Sequence, residues 1–560
     1  MNLKKALSFS LAIILLFSLA LPVFADGGGE AVNFGFWSLM PPLIAILLAL
    51  ITKQVIPSLF LGILVGATMM NGGNVLYGFL RTLDTYILGS AADGWNAAIL
   101  IFLLSIGGMI GVISKMGGMH AIAEALAKRA KTARSAQLVT WLMGCLVFFD
   151  DYANTLIVGP TMRPLTDKMK ISREKLSYIV DSTAAPVSGL AIISTWVGYE
   201  IGLINDAVTG LGIEANPYGI FLKSVPYRFY DILAIIMVFL VAYMMRDFGP
   251  MYKAEKRARL TGKLLADNAK PMASTEMEND IPEGITLRVS NAVIPIVTLI
   301  AVSFVGLWYS GGGTELPMTM EGIRTAFGNA DASIAILWGA VTASIVAITL
   351  AVSQKIMNIG EAFDAWVDGT KALLITAIIL ILAWSIGSVT GDVGTANYLI
   401  GIVTETMPAF MLPLLVFTIS CVIAFATGTS WGTMAIMMPL AIPLSAAFNG
   451  NVLDSFMLAT ISAVLTGSIF GDHCSPISDT TIMSSMASAS DHIDHIKTQF
   501  PYALFVAFTA IAVGYLPAGF GMNPFISLIA GVVVIWAVLK FYGKSTREED
   551  LRALEEKESA

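Results

Sequence analysis

The stretch that decides the reading runs from Phe148 to Leu165, FFDDYANTLIVGPTMRPL. Two adjacent carboxylates, Asp150 and Asp151, and the amide of Asn154 interrupt an otherwise apolar segment, and Pro160 and Pro164 follow them. Both flanks are basic. Residues 115 to 136 carry Lys115, Lys128, Arg129, Lys131 and Arg134, and the next polar stretch carries Arg163, Lys168, Lys170, Arg173 and Lys175. Lysine- and arginine-rich loops stay on the cytoplasmic face of a membrane, so a segment flanked by two of them leaves and re-enters on one side. Residues 137–165 are therefore predicted to form a re-entrant hairpin with its tip near Asp150 to Asn154. A charged turn at membrane depth is tolerated only where protein or water surrounds it.

Composition supplies the membrane. The 560 residues are 56% hydrophobic and 13% charged, against about 25% charged in an ordinary soluble domain, and mean hydropathy is +0.76. A folded surface needs more polar side chains than that, so the main partner is a lipid bilayer. Apolar stretches long enough to cross about 30 Å of hydrocarbon fall near residues 36–52, 55–70, 97–114, 176–200, 229–245, 291–309, 332–352, 372–390, 501–519 and 524–541. A net charge of -7 excludes a nucleic-acid partner of the usual kind. Cys145, Cys421 and Cys474 form no C-x-x-C pair, so neither a disulfide framework nor a structural metal is expected. At the start, two lysines, an apolar run over residues 6–23 and Val23-Phe24-Ala25 before Asp26 predict a signal peptide over residues 1–25.

The second half mirrors the first. Residues 391–409 and 445–455 contain Asp392, Glu405 and Asp454 but no lysine or arginine, which marks them as extracytoplasmic. Segment 410–448 is then a hairpin entering from the other face, with its tip over Thr427 to Gly432. The basic stretch 246–290 reads as a cytoplasmic linker, and 542–560 as a cytoplasmic tail. Pro160 and Pro164 align with Pro439 and Pro443 at one offset, which sets Asp150, Asp151 and Asn154 opposite Thr429, Ser430 and Thr433. Further on, Ala184-Ala185-Pro186-Val187-Ser188 matches Cys474-Ser475-Pro476-Ile477-Ser478. The predicted fold is an all-α polytopic membrane protein of two inverted repeats. Residues 26–245 hold one hairpin and a broken helix at 176–200, and residues 291–541 hold the other hairpin and a broken helix at 455–486. Such repeats bind their cargo near the midplane between the halves.

A helix broken inside protein exposes carbonyls at one end and amide N–H groups at the other, a ligand field for a small ion. The candidate proton- and cation-binding residues therefore cluster at four interruptions: Asp150, Asp151 and Asn154; Asp181, Ser182, Thr183 and Ser188; Thr429, Ser430 and Thr433; and Asp472, His473, Ser475, Ser478 and Asp479. Buried carboxylates are functional candidates by default, and adjacent ones do not both ionise readily, so proton release competes there with cation binding. Plainer roles stand beside these: Asp150, Asp151 or Asp479 as helix caps, His473 as a neutral hydrogen-bonding group, and the hydroxyls as partners for freed backbone. Trp431 and Tyr152 read as packing. Asp472-His473-Cys474-Ser475 is no hydrolase signature, because chain neighbours seldom converge as a nucleophile and base must, and no enzyme activity is expected. His492 and His495 have a metal-like spacing but read as the solvated start of a cytoplasmic helix. Glu200 and Asp231 sit near predicted membrane ends and are left out of the buried-carboxylate argument.

Four strings in order, FFDDYANTLIVGPTMRPL, DSTAAPVSGLAIISTW, GTSWGTMAIMMPL and GSIFGDHCSPISDTTIMSS, followed by DHIDH, resemble the NhaC family of sodium/proton antiporters, within the ion-transporter superfamily. The likeness runs from about residue 36 to residue 541. It implies a multi-pass exchanger of the bacterial inner membrane that exports Na+ for H+, with these as transported ions and no cofactor. It further implies a scaffold domain, a transport domain bearing the hairpins and broken helices, and a homodimer working by an elevator motion. That family also includes exchangers resembling malate/lactate antiporters, so cation-coupled carriage of a small organic acid or amino acid is the alternative. An organic anion would want an arginine, a lysine or a helix N-terminus; the four tips contain no arginine or lysine, which favours a bare cation.

Overall fold

The computed structural model describes residues 34–559 apart from 53, 128–129, 214, 272–285, 320–321, 324, 327–328, 396–397, 399–406 and 477. The segment expected to be a signal peptide lies outside the described residues. Among those described, nine helices are long and apolar enough to cross a membrane, and twelve spans result if three bent pairs each count as one. The bent pairs are Val55–Met70 with Val75–Ala92 at 118°, Arg173–Leu190 with Thr195–Gly210 at 48°, and Pro217–Tyr227 with Phe229–Met244 at 50°. Burial sorts the spans by depth. In Ser455–Cys474, 89% of the apolar window is buried, against 28% in Pro524–Phe541. The first is a central helix and the second presents Ile529 and Val533 outward to lipid.

The first hairpin consists of helices Ala133–Leu146 and Asp151–Lys168. Thr132 and Ser135 close a capping box at the first arm, and Asp150 caps the second. Ala130 and Ala136 at the start of the first arm pack with Ile171, Leu165 and Met169 at the end of the second. Entry and exit of the hairpin thus lie side by side. The second hairpin, Leu412–Thr427 and Ser430–Asn449, turns at Gly428, whose φ of 70° is open to glycine and strained for other residues.

Each hairpin packs on the broken helix of its own half. The first of these is longer and more interrupted than the predicted 176–200: it comprises Arg173–Ser182, Ala185–Leu190 and Thr195–Gly210. Pro186 opens the middle piece, and Ser194 caps the last by accepting from the Val197 N–H at 3.2 Å. The second runs Ser455–Cys474, leaves helix at Ser475, and resumes as Asp479–Ala487. Glycine lets the elements close in. A Cβ on Gly144 would stand 2.0 Å from Thr183 Oγ1, and one on Gly471 would stand 2.5 Å from Cys421 O and Phe425 N.

The segment expected to be a linker is partly built into the fold, as is the tail. Arg246–Asp247 pairs antiparallel with Lys544–Ser545. Helix Gly249–Thr261 buries Met251, Glu255 and Ala258, and Glu255 accepts the Ser172 N–H at 2.8 Å. Asp247 is fully buried against Lys175 and accepts from Tyr502 at 2.7 Å. Basic residues here make specific contacts with the base of the first hairpin and broken helix, as in Arg257 to Glu174 at 2.9 Å. A charge count along the chain carries no information about such pairing.

Candidate functional site

In the first half, Asp150 caps a helix and also reaches the broken helix. Its Oδ1 accepts the Ala153 N–H at 2.8 Å as a helix cap, and its Oδ2 accepts from Thr195 Oγ1 at 3.0 Å, on the last piece of the broken helix. Thr195 N–H bonds Phe149 O at 2.9 Å, so the hairpin tip is stitched to the break. Asp151 is buried at the first position of the second arm. Asn154 directs its amide nitrogen at three carbonyls, Gly144 at 2.7 Å, Val147 at 3.1 Å and Thr183 at 2.8 Å. Those carbonyls come from the end of one arm and from the break, so Asn154 joins the two. Thr183 Oγ1 donates back to Ile179 O at 2.7 Å, and the buried Ser188 hydroxyl has no hydrogen-bond partner among the described residues.

In the second half, Asp472 accepts from Ser478 at 2.7 Å and from Ser430 at 3.2 Å. Ser430 is the first residue of the hairpin's second arm and Ser478 caps Asp479–Ala487, so one carboxylate ties the hairpin tip to both sides of the break. Ser475 donates to Phe425 O at 2.7 Å. Thr433 donates to Thr429 O at 2.9 Å, a bond that satisfies backbone in the turn. Asp479 opens its helix, and its side chain lies outside the described residues. Trp431 packs at the tip as expected, 5.1 Å from Trp196 and 4.2 Å from Tyr199 between ring centroids, while Tyr199 OH bonds its carbonyl at 2.5 Å.

The halves meet between the broken helices. His473 lies with Nε2 2.9 Å from Ser182 Oγ and Nδ1 2.7 Å from Tyr230 OH. Both partners are hydroxyls, which donate or accept, so the ring is satisfied in either neutral tautomer and as a cation. Beside it, Asp181 accepts from Gln499 at 2.6 Å and Ser484 at 3.2 Å, and lies 3.3 Å from His495 Nε2. Gln499 also donates to His473 O.

Three readings are corrected here. His495 does not lie in a solvated helix start: it is fully buried against Asp181, while Asp491, immediately before the first helical residue His492, caps the helix. Glu200 is fully buried in an ion pair with Arg228 at 2.5 Å, and Asp231 is fully buried one turn beyond that arginine. Helix bends carry these residues inward, and linear distance from a predicted membrane edge does not see a bend. Thr195, Tyr230, Ser484 and Gln499 were missed outright. A signal existed for Gln499: His495, Gln499 and Tyr502 recur at i, i+4 and i+7, one polar stripe along a helix whose later turns are apolar.

Two hairpins and two broken helices that gather buried carboxylates and hydroxyls inside a helical bundle define an ion-coupled secondary transporter. The sequence profile of the Na+/H+ antiporter family matches residues 30–191 and 187–520, and the chain belongs to that family. An uncharacterised protein of Haemophilus influenzae is 35% identical over 522 residues, 91% of this chain and 97% of that one. The malate-2H(+)/Na(+)-lactate antiporter of Bacillus subtilis is 32% identical over 155 residues, 27% of this chain and 31% of its own length. Among solved structures, the YdaH transporter of Alcanivorax borkumensis shares the fold with a TM-score of 0.53 at 14% identity, covering 80% of this chain and 90% of that one.

Proposed function

We propose that the protein exports sodium in exchange for protons across the bacterial inner membrane, as a homodimer with its C-terminal tail in the cytoplasm. The observation that carries the reading is the arrangement at Asp472, where one buried carboxylate holds Ser430 of the hairpin and Ser478 of the broken helix together. Sodium is a hard cation that takes oxygen donors, and a carboxylate flanked by hydroxyls and by the free carbonyls of a helix break supplies them. The same oxygen takes a proton when the ion leaves, so the two cargoes compete for one charge. Asp150 and Asp151 provide the corresponding carboxylates in the first half. The Asp181, Ser182, His473 and His495 junction couples the halves, because a change at either break shifts groups bonded to the other.

The relatives include a protein named for malate and lactate, and another, from Halobacterium salinarum, named as an arginine/ornithine antiporter. Bare-cation transport is favoured here by the charge inventory: the buried guanidinium of Arg228 is already held by Glu200 and by Gly189 O. In everted vesicles, adding sodium should dissipate a respiration-generated pH gradient, and Asp151→Asn should abolish the response. A response in folded, inserted protein that is independent of sodium, or one that requires added malate, lactate or arginine, rejects this reading.

A further inference from the structure

Asp231 belongs to neither carboxylate sub-site. It lies in the first turn of helix Phe229–Met244, just beyond the 50° bend after Tyr227. The residue is fully buried, and neither carboxyl oxygen has a hydrogen-bond partner among the described residues. The charged groups that act on it are Arg228, three residues back, and Glu200 from helix Thr195–Gly210; Tyr230 on its own helix and Tyr515 from the segment Ala510–Tyr515 face it as phenols. Neither phenol serves it: Tyr230 is bonded to His473 at 2.7 Å, and Tyr515 to Thr466 and Ser462.

The cluster therefore contains two buried carboxyls and one guanidinium. Arg228 engages Glu200 through both terminal nitrogens, at 3.2 Å and 2.5 Å, and also donates to Gly189 O. Its Nε–H has no partner among the described residues. Glu200 is thereby neutralised and Asp231 is left without a counter-charge. An isolated carboxylate in such surroundings neutralises itself by taking a proton. A sodium ion would need several oxygens around it, whereas a proton needs only the carboxyl.

We propose that Asp231 is a further proton-binding site, neutral in this conformation and paired with Arg228 in the alternative one. Its part in transport rests on the sodium/proton reading above. Arg228 is tied to the carbonyl of Gly189, inside the first broken helix, so a rearrangement of that break moves the guanidinium. When Arg228 turns from Glu200 to Asp231, the O–H bond of Asp231 breaks, the proton passes to Glu200 and a new O–H bond forms there. The cluster's total charge is unchanged, and a proton has moved with the helix.

Infrared spectroscopy of the purified full-length protein in lipid tests the proton directly. The wild type should show a carboxylic-acid C=O band that shifts in D2O, and Asp231→Asn should lose a component of it. Glu200→Gln should lose the same component, because Arg228 then has only Asp231 to pair with and ionises it. A band unchanged in Asp231→Asn overturns the proposal, and a band retained in Glu200→Gln overturns the shared guanidinium. Both replacements keep side-chain shape, and two independent variants guard against a failure of either to fold. In everted vesicles, Asp231→Asn should slow the sodium-driven pH response about tenfold, with equilibrium 22Na+ binding retained; an unchanged response overturns the transport role. Should wild-type vesicles show no sodium response, the sodium/proton reading fails, and the infrared arms still decide the state of Asp231.

Discussion

At the residue scale, Asn154 shows how a side chain can build a site without being its charge. Its amide reaches Gly144 O, Val147 O and Thr183 O, carbonyls that the hairpin turn and the helix break have left without helical donors. Asn154→Ala withdraws that donor inside the protein, where an unmatched polar group costs about 1–3 kcal/mol. A lowered melting temperature of the purified protein is expected, and an unchanged one would show that the carbonyls find other donors. Asp472 is the opposite case, a charge positioned by Ser430 and Ser478. Asp472→Asn should lose sodium-driven proton movement while retaining the melting temperature to within a few degrees, since an amide can keep one of the two hydroxyl contacts. The identity of these residues was legible from their unusual presence in apolar sequence. Their partners were not, because Thr195, Tyr230, His495 and Gln499 come from segments remote in the chain.

At the element scale, hairpin and broken helix are locked together by glycine. Gly471→Ala would drive a Cβ to 2.5 Å from Cys421 O and Phe425 N, and backbone atoms on a packed helix cannot step aside as a flexible side chain can. Overpacking of this kind costs about 1–3 kcal/mol. The displacement should separate the hairpin from the break that carries Asp472, so sodium response should fall further than thermal stability does. A second element-scale contact responds to pH. Asp491, between helices Asp479–Ala487 and His492–Thr509, accepts N–H bonds from Lys270 at 2.8 Å and Asp494 at 3.0 Å. Burial pushes its carboxyl up, but the N–H groups of Lys270, Asp494 and Ile493, together with the charge of Lys497, outweigh burial and hold it below the usual carboxylate range. A lowered value in the folded state means that this contact stabilises the protein above about pH 4 and is lost as pH falls through the lowered value. Hydrogen exchange should show protection of the Lys270 amide, corrected for intrinsic rate, declining at acid pH in the wild type and pH-independent in Asp491→Asn. The hairpins and breaks were readable from prolines, glycines and flanking charge. The third piece of the first broken helix was hidden because Ser194 and Thr195 carry no strong breaker signal.

At the scale of the whole molecule, the two halves are clasped at the end where basic residues gather. Arg246 donates to Leu539 O at 2.8 Å and Gly543 O at 2.5 Å, Thr546 N–H bonds Met245 O at 2.9 Å, and the short strands 246–247 and 544–545 pair. Removing residues 543–560 should lower the melting temperature measurably and leave the residues around Asp472 in place; unchanged melting would show that the clasp adds no stability. By itself the sequence determined that lipid is the solvent, that the chain is a helical transporter, and which family it belongs to. Those follow from the density of apolar residues, the distribution of lysine and arginine, and short strings of polar residues, all local properties. Only the tertiary structure decided that Glu200, Arg228 and Asp231 form one buried cluster, that His495 faces Asp181, and that residues 246–261, the start of the stretch expected to be a linker, pack into the fold. The physical reason is that burial and charge pairing depend on where bent helices carry a residue in three dimensions, and hydropathy along the chain reports only the average environment of each segment.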